Sequence, residues 1–224
     1  MFQRWVDLLF AHWPLRPEAL SPLIPAPLEL ETFAGRAWVG LTSFQLEGLR
    51  PRFLPPVPSL SSFSETNLRT YVQWKGKPGV FFFTLEADSR FAVLAARLLF
   101  RLPYHFARME VRRTYQDRID YSSVRPDSSG AFRVRYRATG PVYEAATGSL
   151  PHFLTERYAL YVVLSKGRVF RGDIHHRPWR LQTADAEIDE NQLPAAYGID
   201  IAEHEPLLHY ASRQDTLVWS PRPA

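Results

Sequence analysis

The segment Ser64-Glu65-Thr66-Asn67-Leu68-Arg69-Thr70-Tyr71 places a carboxylate, an amide, a guanidinium and a phenol at every second position. On a β-strand alternate side chains share a face, so Glu65, Asn67, Arg69 and Tyr71 point the same way. Burying such a face is costly unless it lines a wet cavity or forms a polar network. One reading is a small-molecule pocket in which Arg69 pairs with a substrate carboxylate and Glu65 moves a proton. The other is a solvent-facing strand with an internal Glu–Arg pair.

Leu102-Pro103-Tyr104-His105-Phe106 is the second candidate. His105 titrates near neutral pH and suits acid or base work, and Tyr104 can donate a hydrogen bond or a proton. The alternative is a capping loop whose aromatics pack on the end of the fold. Thr155-Glu156-Arg157-Tyr158 mixes charges and a phenol, with Tyr161 nearby. His175 and His176 are adjacent, so on a strand they face opposite ways and do not share a metal; His204 and His209 suit neither helical nor strand ligand spacing. No metal site is expected. Arg133, Arg135 and Arg137 alternate with Phe132, Val134 and Tyr136, which reads as a solvated outer face rather than a phosphate-binding stripe.

The chain that must position these groups has 224 residues, 46% of them hydrophobic and 22% charged, enough for one globular core spanning residues 1–224. It has no cysteine, which excludes thiolate catalysis, disulfides and Cys-ligated metal. Of the 27 basic residues only Lys75, Lys77 and Lys166 are lysines. A net charge of +4 spread over the chain gives no basic patch. No apolar run reaches the ~20 residues that span a bilayer, and the first residues lack a secretory pattern, so a cytoplasmic protein without membrane contact is expected. No Walker, Rossmann or Gly-x-Ser-x-Gly motif occurs, so no cofactor is expected.

Residues 17–23 read as a short helix with proline in its first turn, stopped by Pro25 and Pro27. Strands are expected over 37–46, 67–74, 80–85, 108–115, 119–124, 132–138, 158–164 and 169–174. Hairpins are expected across Lys75 to Gly79 and across Ser165 to Arg168. Pro51 to Pro58 reads as a loop. The one long helix is expected over residues 90–102, capped by Asp88 or Ser89, with Phe91, Leu94, Ala95, Leu98, Leu99 and Leu102 forming a buried stripe. Many short strands and one main helix indicate a mainly β fold, an antiparallel sheet curled into a barrel or sandwich.

With these segments in place, the chain resembles the YqjF-like family of bacterial proteins, related to the acetoacetate decarboxylases. The markers are Leu8 to Pro14, Phe33 to Gly40, Glu65 to Val72, Gly76 to Val80, Leu102-Pro103-Tyr104, Gly148-Ser149-Leu150 and Leu154 to Tyr158. Pro151 departs from the pattern, in which an acidic residue follows Gly-Ser-Leu. The resemblance implies a closed antiparallel β-barrel of the acetoacetate decarboxylase-like type with a central cavity. It matches Glu65 to the decarboxylases' active-site glutamate and Arg97 to the arginine of their Gly-Arg-Glu helix. Tyr104 stands where they carry the Schiff-base lysine, and His105 where they carry its neighbour. A phenol forms no iminium, and Lys75, Lys77 and Lys166 fall in exposed turns where an amine stays protonated. Decarboxylation through a lysine imine is therefore not expected.

The expected site is Glu65, Tyr104 and His105 as acid, base and polarising groups, with Arg69, Arg97, Asn67 and Tyr71 binding a small oxo-acid. Hydration, dehydration, enolisation and aldol-type steps all fit, as does a binding or sensing protein with no turnover. Nucleic-acid binding through the arginines is the third reading and the least supported. The expected partner is a small-molecule carboxylate rather than nucleic acid, and a homo-oligomer is left open.

Overall fold

A computed structural model describes residues 1–51, 53, 55–57 and 61–224. Within the loop expected over Pro51 to Pro58, Arg52, Leu54 and Pro58 lie outside the described residues. The strands in chain order are β1 (Phe2–Leu15), β2 (Glu29–Leu30), β3 (Ala37–Arg50), β4 (Phe63–Trp74), β5 (Lys77–Ala87), β6 (Tyr104–Phe106) and β7 (Arg108–Arg113). They continue as β8 (Ile119–Val124), β9 (Ala131–Tyr143), β10 (Ala159–Leu164), β11 (Arg168–His176), β12 (Leu181–Asn191), β13 (Leu207–Val218) and β14 (Arg222–Pro223). Among the described residues three α-helices interrupt them: α1 (Pro17–Leu20), α2 (Arg90–Leu99) and α3 (Leu150–Thr155). None of the described helices is long and apolar enough to cross a membrane.

The β4–β5 hairpin forms where the sequence predicts it, through a two-residue turn with Lys75 and Gly76 both at positive φ. That pair of left-handed residues matches the right-handed twist of the strands it joins. The sheet runs β14-β11-β10-β5-β4-β3-β1-β13-β12-β9-β8-β7, and β11 pairs a second time with β13. The pairing is largely antiparallel, as expected, with two exceptions: β5 pairs parallel with both β10 and β6. Each of these two strands is reached after a long excursion containing a helix, and such an excursion, unlike a tight turn, permits a parallel return.

β1 has no alternating pattern because both its faces are buried. Leu9, Ala11 and Trp13 pack against Ile119, Tyr121, Phe132, Val134 and Tyr136 of the β8–β9 layer, while Leu8 and Phe10 face the other way. The same division holds in β4, where Leu68 joins that outer core and Glu65, Asn67 and Arg69 face inward.

α2 begins as expected, with Ser89 Oγ accepting from Ala92 N at 3.2 Å. It stops at Leu99, three residues before the expected end, because Arg101 adopts a left-handed conformation ahead of Pro103. Its expected buried stripe is corrected by the structure: Phe91, Leu94, Leu98 and Leu99 are 56–69% exposed, and only Ala92 and Val93 are buried. Phe91, Ala92, Ala95, Ala96 and Leu99 line a cavity beneath the helix, while Leu94 and Leu98 do not.

Arg133, Arg135 and Arg137 form the outer face the sequence suggests. They pair with Glu190, Glu187, Asp189 and Asp185 of the adjacent β12. Their charge is matched within the sheet, which removes the motive for a polyanion partner.

Candidate functional site

The inward faces of β1, β3, β4, β5, β10 and β11 and one face of α2 enclose a cavity of about 160 Å³. The register fixes its polar strip. Phe44 lies opposite Glu65, Thr42 opposite Asn67 and Gly40 opposite Arg69, with Ala87, Leu85 and Phe82 on the other flank. A register shift between Leu68 and Arg69 leaves Phe83 unpaired on β5, so Leu85 and Phe82, three residues apart, both turn inward.

Glu65 is 5% exposed and Asn67 4%, which rules out the solvent-facing reading of β4. Tyr104 reaches the same chamber because β6 pairs with β5 in the register Leu85 to Tyr104. Its Oη donates to Glu65 Oε2 at 2.8 Å. Burial raises the Glu65 carboxyl to about 7, opposed by hydrogen bonds from Tyr104 and Asn67 and assisted by the charge of Glu86. Burial and the neighbouring Glu65 hold the Tyr104 phenol well above 10, so it keeps its proton at physiological pH.

Arg69 lines the cavity, and no carboxylate pairs with it among the described residues; its Nε is buried without a partner. Its guanidinium carbon lies 5.6 Å from the centroid of the Phe10 ring. The guanidinium hydrogen-bonds to Tyr71 and lies close enough to His12 and Arg157 to act on both electrostatically. Asn67 Oδ1 and Thr42 Oγ1 are also buried without partners. Arg69 and the Thr42 hydroxyl can donate to an anionic head group, while Asn67 Oδ1 can accept from a hydroxyl beside it.

The remaining expected residues separate from this group. Tyr71 shares the face but does not line the cavity; its Oη donates to the Leu154 carbonyl at 2.9 Å. Arg97 is exposed, and its Nε donates to the Tyr104 carbonyl at 2.6 Å, holding that backbone rather than reaching the chamber. His105 follows Tyr104 on β6 and therefore faces the opposite side, opposite Glu86 in the ladder. There the buried Glu86 accepts from Arg125, and burial followed by Arg125 and Arg97 lowers the His105 pKa. The structure thus lines one cavity with Glu65, Tyr104, Asn67 and Arg69, sets Tyr71 against Arg69 outside that lining, and leaves out His105 and Arg97. All three lysines are exposed, and Lys77 Nζ is 3.2 Å from Asp173 Oδ1.

Sequence reasoning missed several neighbours. Arg157, flagged only within its charged cluster, lines the cavity and pairs with Glu31. His12 is fully buried beside the polar strip with neither ring nitrogen partnered, and burial, then Arg69, then His209 hold it well below 6.5, hence neutral. Its ring packs on Gly40, where an added Cβ would lie 2.8 Å from His12 Cδ2 and 3.2 Å from Tyr71 Oη. Gly40→Ala is expected to cost ~1–2 kcal/mol in urea unfolding, because this fully buried ring has no room to withdraw. No cluster of three metal-ligating side chains occurs among the described residues.

Residues 2–215 match the DUF2071 family, described as an uncharacterized conserved protein. The chain belongs to that family. A DUF2071 relative, the uncharacterized protein YqjF of Bacillus subtilis strain 168, is 48% identical over 220 residues, covering 98% of this chain and 90% of that one. The DUF2071 fold is shared with more distant solved structures. An acetoacetate decarboxylase-like enzyme from Sphingomonas wittichii RW1 matches with TM-score 0.67 at 15% identity, over 100% of this chain and 92% of that one. The enduracididine biosynthesis enzyme MppR, complexed with pyruvate, matches with TM-score 0.65 at 14% identity, over 99% and 89%. The acetoacetate decarboxylase of Legionella pneumophila matches with TM-score 0.62 at 12% identity, over 98% and 87%. Pro151 sits in the first turn of α3, where a helix needs no backbone N–H.

Proposed function

We propose that this protein is an enolising, lyase-like enzyme for a small oxo-acid, working without a lysine Schiff base inside a closed barrel. The ladder β1-β3-β4-β5-β10-β11-β13, with β13 returning to β1, supports the barrel reading. The observation that carries the chemistry is the Tyr104–Glu65 hydrogen bond inside a cavity whose arginine lacks a counter-ion. The pyruvate held by MppR, a protein of the same fold, agrees with an acid of this size.

In this mechanism Arg69 binds the substrate carboxylate, and Tyr104 Oη turns from Glu65 to the carbonyl oxygen. Glu65, titrating near 7, takes the proton from the carbon beside the carbonyl. The C–H electron pair moves into the new C=C bond, and the carbonyl pair moves onto oxygen. The resulting enolate oxygen is stabilised by Tyr104, whose high pKa makes it a donor that does not ionise. Reprotonation at carbon, loss of a β-hydroxyl or attack on a second carbonyl then gives isomerisation, dehydration or aldol products.

Solvent-deuterium exchange at C3 of a 2-oxo-acid, followed by NMR, tests the reading. The predominantly apolar lining favours a second reading, recognition without turnover; binding with no exchange would establish it. Treatment with borohydride in the presence of the same acid is expected to leave all three lysines unmodified by mass spectrometry. A reduced adduct on Lys75, Lys77 or Lys166 would contradict the mechanism.

A further inference from the structure

We infer that the acid this site takes is a monocarboxylate with an apolar body about the size of one six-membered ring. The inference rests on the carboxylate-anchor reading above and adds the shape and charge of the rest of the ligand. Charge comes first. Two guanidinium groups, Arg69 and Arg157, line the cavity, and Arg157 is already matched by Glu31. One positive charge is left for the ligand, so a second carboxylate would be buried unpaired.

The walls beyond the polar strip set the body. Trp5, Phe44, Leu46 and Phe63 gather beside Glu65 at the end away from Arg69. The polar groups there are spent: Trp5 Nε1 donates to Gln3 Oε1 at 2.8 Å, and Trp179 Nε1 donates to the Thr155 carbonyl at 2.9 Å. At that end Phe44, Leu46 and Phe63 offer a ligand hydroxyl no partner, whereas an aromatic or branched hydrocarbon would displace no bound polar contact. The volume, about 160 Å³, matches the ring alone, since an apolar cavity of about 150 Å³ holds benzene; the chamber is open on one side, so the acid head is not confined to that volume. Bare three-carbon acids leave the chamber partly empty.

Calorimetric titration of the full chain with phenylpyruvate, pyruvate and 2-oxoglutarate tests this. Phenylpyruvate is expected to bind at least about tenfold tighter than pyruvate, from the apolar area it buries, and 2-oxoglutarate more weakly than phenylpyruvate. Ala96→Leu, which adds bulk to the α2 wall of the chamber, is expected to weaken phenylpyruvate about tenfold and pyruvate less than twofold. Ala95→Leu serves where the first variant melts early. Equal affinity for pyruvate and phenylpyruvate, tighter 2-oxoglutarate, or a filling variant that weakens both monocarboxylates alike would overturn the inference while leaving the anchor intact. Binding of these acids unaffected by Arg69→Gln, or no binding of any of them, would instead overturn the anchor reading and the inference with it.

Discussion

Glu65→Gln is expected to slow enzyme-dependent C3 deuterium exchange of a 2-oxo-acid by about 10²–10⁴-fold, the range removed with a general base. The amide introduced by this substitution keeps the shape of the carboxylate and still accepts the Tyr104 hydrogen bond, so the cavity should survive while the proton acceptor is lost. Acid binding should change less than threefold, since the anchor is Arg69. In the unsubstituted protein exchange should rise with pH through about 7, as the Glu65 carboxyl ionises. Tyr104→Phe should lower the rate by about 10²–10³-fold, as expected for loss of one donor to the developing oxyanion. Exchange that persisted in both variants would remove these residues from the mechanism.

The same Glu65→Gln substitution is expected to stabilise the fold in a pH-dependent way. In the unfolded chain the Glu65 carboxyl releases its proton near 4.5, whereas in the folded chain it holds it to about 7. Between those values the folded form binds the extra proton, so stability falls as pH rises through this window, and the full cost is present above about 7. A rise of this size corresponds to about 3 kcal/mol. Glu65→Gln has no proton to lose and escapes the cost. Urea unfolding should find it about 3 kcal/mol more stable than the parent at pH 8 and nearly equal at pH 4. An equal difference at the two pH values would mean that Glu65 ionises at its ordinary value. A gain in stability paired with a loss of turnover is the pattern expected of a buried group kept for chemistry.

Parts of this site were legible because short-range rules govern them. The period of a strand put Glu65, Asn67 and Arg69 on one face, and the Gly and Pro of Lys75 to Gly79 between two β-rich runs marked the hairpin that carries it, although Lys77 to Gly79 already belong to β5. Ser89 marked the start of α2. The rest depended on what lies across space. β1 shows no alternation because the β8–β9 layer covers the face that would otherwise meet water, so its period-two signal is absent. The apolar stripe of α2 was legible, and Phe91, Ala95, Leu99 and Leu102 do line the cavity, but its burial was not: periodicity identifies a face and does not say how completely it is covered. His105 was grouped with Tyr104 because the segment read as a loop. Recognised as the three-residue strand β6, it would have sent the two side chains to opposite sides. Arg97 and Arg69 were equally plausible anchors by type, and only the fold shows that one faces the chamber while the other holds the Tyr104 carbonyl.

The central claim is that a carboxylate–phenol pair, with no lysine, carries the chemistry of this cavity. Because the chain contains only three lysines, replacing Lys75, Lys77 and Lys166 with arginine yields a lysine-free protein. NMR measurement of deuterium incorporation at C3 of phenylpyruvate by that variant is the direct test. Exchange is expected to stay within about threefold of the parent, and to be abolished when Glu65→Gln is added. Exchange lost in the lysine-free chain, or retained after Glu65→Gln, would contradict it.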